Sequence, residues 1–73
     1  MTWNYRLVRK VTGNGFYFAI HEAYYTNDEC DYITLDGVEV GGDTITECKS
    51  EYNMMKEAFK RPVLDYETRK ELL

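Results

Sequence analysis

Residues Phe16–Tyr25, FYFAIHEAYY, decide how this chain is read. If the stretch is a strand, successive side chains alternate faces. Phe16, Phe18, Ile20, Glu22 and Tyr24 then share one side, and Tyr17, Ala19, His21, Ala23 and Tyr25 share the other. Both sides carry apolar material, as expected of a central strand with a helix on one face and a partner on the other.

The flanking segments supply its neighbours. In WNYRLVRKV the residues Trp3, Tyr5, Leu7 and Val11 alternate with Asn4, Arg6 and Lys10, a period of two that predicts a half-buried strand over 3–11. Thr12–Gly15, TGNG, tolerates the positive φ of a tight hairpin into a second strand over 16–25. TNDECD reads as a polar connection, and YITL as a third strand over 32–35. DGVEVGGD either extends that strand to 40 or bulges before a turn at Gly41-Gly42.

The clearest helix signal follows. Thr44 stands three residues before Glu47, the spacing of a capping box. Ile45, Cys48, Tyr52, Met55 and Phe59 recur at helical spacing as one apolar stripe, and Glu57 with Arg61 fits an i,i+4 ion pair. Pro62 closes a helix expected over 45–61. The tail 65–73, DYETRKELL, reads as a short second helix begun by Asp65, with Leu72 and Leu73 docked or frayed. The expected fold class is α+β: a three-stranded antiparallel meander, then one amphipathic helix packed on one face (β-β-β-α), then a short helical tail, all in a single domain over 1–73.

Composition narrows function. A chain of 73 residues buries a thin core and leaves little room for a deep cleft. Seven tyrosines give it an adhesive exterior, and a net charge of −4 argues against affinity for phosphate backbones. Two cysteines without metal spacing read as reduced thiols. No run approaches a membrane span and MTWNYRLVRK lacks a signal-peptide core, so the expected location is the cytoplasm.

No catalytic, cofactor-binding or metal set emerges. His21-Glu22 begins like the zinc-binding HExxH motif, but Tyr24 and Tyr25 follow where the motif ends in histidine, and a strand points His21 and Glu22 to opposite faces. Glu22, on the face expected to meet the helix, should reach the rim or pair with Lys or Arg. Asp28, Glu29 and Asp31 match no calcium loop and read as solvated. Cys48 reads as a small core residue, while Cys30 sits among acids that disfavour its thiolate. The glycines of GNG and GGD need only turns.

What remains is the sheet face carrying Tyr17, His21 and Tyr25, with Arg6, Val8 and Lys10 from the neighbouring strand. One helix cannot cover both sides of a three-stranded sheet. This face is therefore either an interface, most simply that of a homodimer, or solvent-exposed with scattered aromatics.

Two resemblances bear on this. GGDTITECKSEYNMMKEAF after a meander resembles the HicB-like antitoxin domain, a reduced ribonuclease-H-like fold; its residue match is confined to Gly42-Asp43-Thr44 and the helix stripe. Trp3-Asn4-Tyr5-Arg6, Phe18-Ala19-Ile20-His21-Glu22 and Arg61-Pro62-Val63-Leu64 resemble the WNYR, YxxHE and RPVL motifs of a group of small uncharacterised bacterial proteins, with Phe18 in place of tyrosine. The first implies binding to a partner such as an RNA-cleaving toxin, but the nine residues from Asp65 on cannot make the separate DNA-binding segment many such proteins carry. The expected function is a non-enzymatic protein-interaction module, antitoxin-like or inhibitory. The alternative is an accessory nucleic-acid-binding protein using Arg6, Lys10 and stacked tyrosines.

Overall fold

The computed structural model describes residues 1–72. Strands β1 (Thr2–Thr12) and β2 (Gly15–Thr26) form a long antiparallel hairpin, each running a residue or so beyond the expected bounds. Gly13, at φ +54°, opens the two-residue turn between them, with the sign a type II′ hairpin requires at its first central position. The expected alternation holds along both strands, with Val8 opposite Ala19 and Leu7 opposite Ile20, but burial does not follow it: Arg6 and Val8 of the polar side are buried, whereas Trp3 and Val11 of the apolar side are exposed.

A second tight hairpin follows. Asn27 and Asp28 have φ of 53° and 65°, the left-handed pair of a type I′ turn, which short polar side chains tolerate. Strand β3 therefore begins at once and covers Glu29–Ile33, not 32–35. Its register against β2 steps by one residue, with Asp31 left over where Tyr25 meets Cys30 and Tyr24 meets Tyr32. From Thr34 to Thr44 there is no strand. The chain instead follows the edge of β2 loosely, through Thr34 N–H to Glu22 O (3.0 Å) and Val38 N–H to Ile20 O (2.8 Å). Gly37 suits this path, since a Cβ there would crowd the Cβ of Ala19 at 3.0 Å.

Helix α1 (Ile45–Met55) opens with the expected cap. Thr44 Oγ1 accepts from Glu47 N–H (3.1 Å), and Glu47 reaches back to Asp43 N–H (2.9 Å). The α-helix is shorter than 45–61, however: Lys56–Lys60 tighten into a 3-10 turn. Arg61 is extended, as a residue before proline prefers. Glu57 pairs with Lys60 at 3.2 Å, not with Arg61, which donates to the Glu57 backbone carbonyl.

The tail departs most from expectation. It forms strand β4 (Leu64–Asp65), parallel to β1 beside Val8 and Arg9, and completes a mixed sheet in the order β3-β2-β1-β4. Asp65 Oδ1 caps a turn by accepting from Glu67 N–H (2.8 Å) and Thr68 N–H (3.4 Å). The chain then folds back instead of winding on, with Leu64 opposite Glu71 and Leu72 N–H on Val63 O (2.7 Å). A lone helix of this length is marginal in water, whereas as a strand Leu64 becomes fully buried against Val8. Leu73 lies outside the described residues. The class is α+β. No helix among the described residues is long and apolar enough to cross a membrane.

Two small clusters flank the sheet. Val8, Ala23, Ile33 and Leu64, with Tyr25, Cys30 and Tyr66 at their margin, fill one face. Tyr5, Met55 and Ala58, bordered by Ile20 and Val38, fill part of the other. The tail is held by Arg6, only 4% exposed. Its guanidinium donates to Pro62 O from Nε (3.2 Å) and Nη2 (2.6 Å), to Glu71 (3.2 Å), and to the Tyr25 hydroxyl. Arg6→Met should cost about 2 kcal/mol, because it takes the shared donor from the part-buried Pro62 carbonyl and Tyr25 hydroxyl. Glu71→Gln, at the exposed rim, should cost less than about 1 kcal/mol. Urea unfolding of both variants checks the contrast.

Candidate interaction surface

The side chains singled out from sequence do come together, but inside the molecule. Arg6 and Val8 are buried, and His21 is 2% exposed. Tyr25 is half-buried with its hydroxyl on Arg6. Lys10 donates to Leu35 O (2.6 Å) and lies 4.3 Å over the Tyr66 ring. Of the six, Tyr17 alone is largely exposed. The face expected to look outward is filled by the chain itself, by Pro62–Leu72 on one side and by the segment after Ile33 on the other. Sequence reasoning missed this because both covering segments lack the regular period that announces a packed element.

His21 is an internal strut. Nδ1 lies 2.8 Å from Thr34 O; a carbonyl can only accept, so Nδ1 carries the proton of the neutral ring. Tyr66 packs at 6.0 Å between ring centres. Burial holds the imidazole below its ordinary pKa, the nearby Lys10 charge acts in the same direction, and the Thr34 carbonyl and Asp36 oppose them. Glu22 sits at the rim of the opposite face, accepting from the Tyr24 hydroxyl instead of pairing with a cation. Tyr5 donates to Glu51, and burial followed by that carboxylate raises its pKa. Cys30 is half-buried, and burial is the main cause that pushes its thiol up; Arg69 and Arg6 act against this, and the acid beside it, Asp31, contributes least. Among the described residues no three His, Cys, Asp or Glu side chains are grouped to hold a metal.

The unfilled apolar surface lies elsewhere. On the sheet face opposite His21, Met55 and Ala58 cover Tyr5, but Val11, Phe16 and Phe18 stay uncovered, Phe18 at 51% exposure. Arg9 extends its guanidinium 4.3 Å over the Phe16 ring. The stripe of the helical segment is also largely unfilled. Met55 is 4% exposed, yet Ile45 is 76% exposed, and Tyr52 and Phe59 are more than half exposed. Cys48, expected in the core, is half-buried. The helix thus meets the sheet at its C-terminal end and through the 3-10 turn, while the rest of its apolar side has no neighbour to bury it.

Comparison with protein-family models, with curated proteins and with solved structures finds no match to this chain.

The depressed pKa of His21 has a measurable consequence. An imidazole buried as the neutral form binds its proton more weakly in the folded chain than in the unfolded one, where the value is about 6.5. The stability it contributes is complete above that pH and is lost as pH falls through the folded-state value. The urea midpoint should therefore drop between pH 7.5 and pH 5.5, and His21→Gln should flatten that dependence.

Proposed function

We propose that this chain is a small protein-binding module without chemistry of its own, acting in a reducing compartment and docking its partner over Val11, Phe16 and Phe18 and the stripe of α1. The observation that carries this reading is the pairing of two exposed apolar surfaces on one small chain, both built from large side chains. Scattered apolar residues on a surface are ordinary, whereas grouped ones favour association. Phe16 and Phe18 are neighbours on one strand face with Val11 opposite Phe16, and Ile45 and Tyr52 lie two turns apart on one helix face.

The resemblance to HicB-like antitoxins supports the same class of role. An antitoxin-like or inhibitory module needs only a surface that covers another protein. Nucleic acid is less well supported as the partner. Arg6 is enclosed, Lys10 is engaged by Leu35 O and Tyr66, and the net charge is −4.

Phe18→Glu and Tyr17→Glu separate the two sheet faces at adjacent positions. Affinity capture with the wild-type chain should retain a specific protein, which includes a second copy of the chain. Tyr17→Glu should retain it as well, and Phe18→Glu should weaken binding by about 30-fold or more, the scale of a central aromatic anchor. Equal retention by both variants, or loss with Tyr17→Glu alone, would overturn the placement.

A further inference from the structure

This inference rests on the protein-binding reading and names the partner. We infer that the occupant is a second copy of this chain, in a two-fold pair where Ile45, Cys48 and Tyr52 of each copy lie on Val11, Phe16 and Phe18 of the other.

The exposed area is the first argument. The chain exposes 5465 Å², whereas the area–mass relation for folded monomers gives about 4,700 Å² at this size. The excess approaches the roughly 800 Å² that each partner contributes to a stable interface. Its radius of gyration, 12.8 Å, likewise exceeds the roughly 11 Å of a compact chain of this length. Both excesses are what a chain shows when part of its packing surface is completed by another molecule.

The second argument is that the missing partner of each surface is present on the same chain. An apolar sheet face is ordinarily covered by the apolar side of a helix, and here an uncovered patch of each kind occurs. Their dimensions agree. From Ile45 to Tyr52 a helix rises about 10 Å, and the sheet patch extends about 7 Å along β2 and one strand spacing across to β1. Within one copy the stripe reaches the sheet only at Met55, which is seated on Tyr5 near the start of β1, while Val11 and Phe16 stand at the far hairpin end. Exchange between two copies fills both surfaces at once and closes the assembly at two subunits.

A reciprocal contact makes a prediction that other arrangements do not. Phe18→Glu breaks the sheet half of both contacts in its own homodimer, and Tyr52→Glu breaks the helix half of both. Each variant alone should associate at least about tenfold more weakly than wild type in sedimentation velocity. A 1:1 mixture should regain dimer, since the mixed pair keeps one intact contact, formed by the Phe18→Glu helix on the Tyr52→Glu sheet. Circular dichroism verifies that both variants are folded. If either is not, Phe18→Cys in a Cys30→Ser background replaces it: mild oxidation should join Cys48 of one copy to the introduced thiol of the other, identified by peptide mass.

A wild-type monomer at 100 µM would overturn the second-copy assignment, and so would a Cys48 link formed within one chain. No gain on mixing, or links only between like positions, would overturn the reciprocal arrangement. If wild type is monomeric yet Phe18→Glu alone loses a different protein on capture, the module reading stands and only its occupant changes. If wild type is monomeric and captures nothing, both fall.

Discussion

The guanidinium of Arg6 fixes more of this molecule than any apolar contact does. A cation enclosed in a small domain is tolerated only when its donors are matched within the fold. Its donors meet the Pro62 carbonyl, the Tyr25 hydroxyl and Glu71. Those partners come from β2, from the residues just before β4 and from the returning segment at Glu71, so satisfying one side chain brings three segments together. With Pro62 held, Leu64 falls beside Val8, Asp65 comes within 3.1 Å of Arg9, and Tyr66 reaches His21 and Lys10. The chain's own end thereby occupies the sheet face that appeared free for a partner.

That arrangement has a consequence on the opposite face. The tail and the start of the segment after Ile33 lie on the side of His21, which leaves α1, the 3-10 turn and Val38 to cover the other. Sixteen residues seated through Met55 and Ala58 cover Tyr5 and the neighbourhood of Ile20 but leave the hairpin end uncovered. The division of covering material between the faces, not an excess of hydrophobic residues, puts Phe16 and Phe18 in water.

Local chemistry made the first hairpin and the start of α1 legible. Alternation in WNYRLVRKV and FYFAIHEAYY, glycines in TGNG, and Thr44 with Glu47 each act within a few residues of where they are read. The turn at Asn27-Asp28 was legible in principle, because both residues accept left-handed φ, but the acids around it resembled a solvated loop. β4 was not legible, since Leu64 pairs with Val8 across most of the chain and carries no local mark of that distant partner. The stripe of α1 shows the limit of periodicity. It identifies a helix side that favours burial without saying which molecule supplies the cover, so spacing that correctly located the helix wrongly implied that most of its apolar side packs on its own sheet.

Small size makes folding and association parts of one equilibrium here. Among the described residues the buried apolar side chains are Tyr5, Val8, Ala23, Ile33, Met55, Ala58 and Leu64; two are alanines, and the seven are split between two clusters. A core of this kind supports only a few kcal/mol of net stability. A partner present at a hundred times its dissociation constant adds about 2.7 kcal/mol to the folded state alone, which is comparable with the whole. Completing the sheet's second face from outside would therefore change how much of the chain is folded as well as what it is bound to. The exposed phenylalanines thus connect the two equilibria: they are left incompletely packed by a fold committed to burying Arg6 and His21, and their burial by a partner would stabilise that same fold.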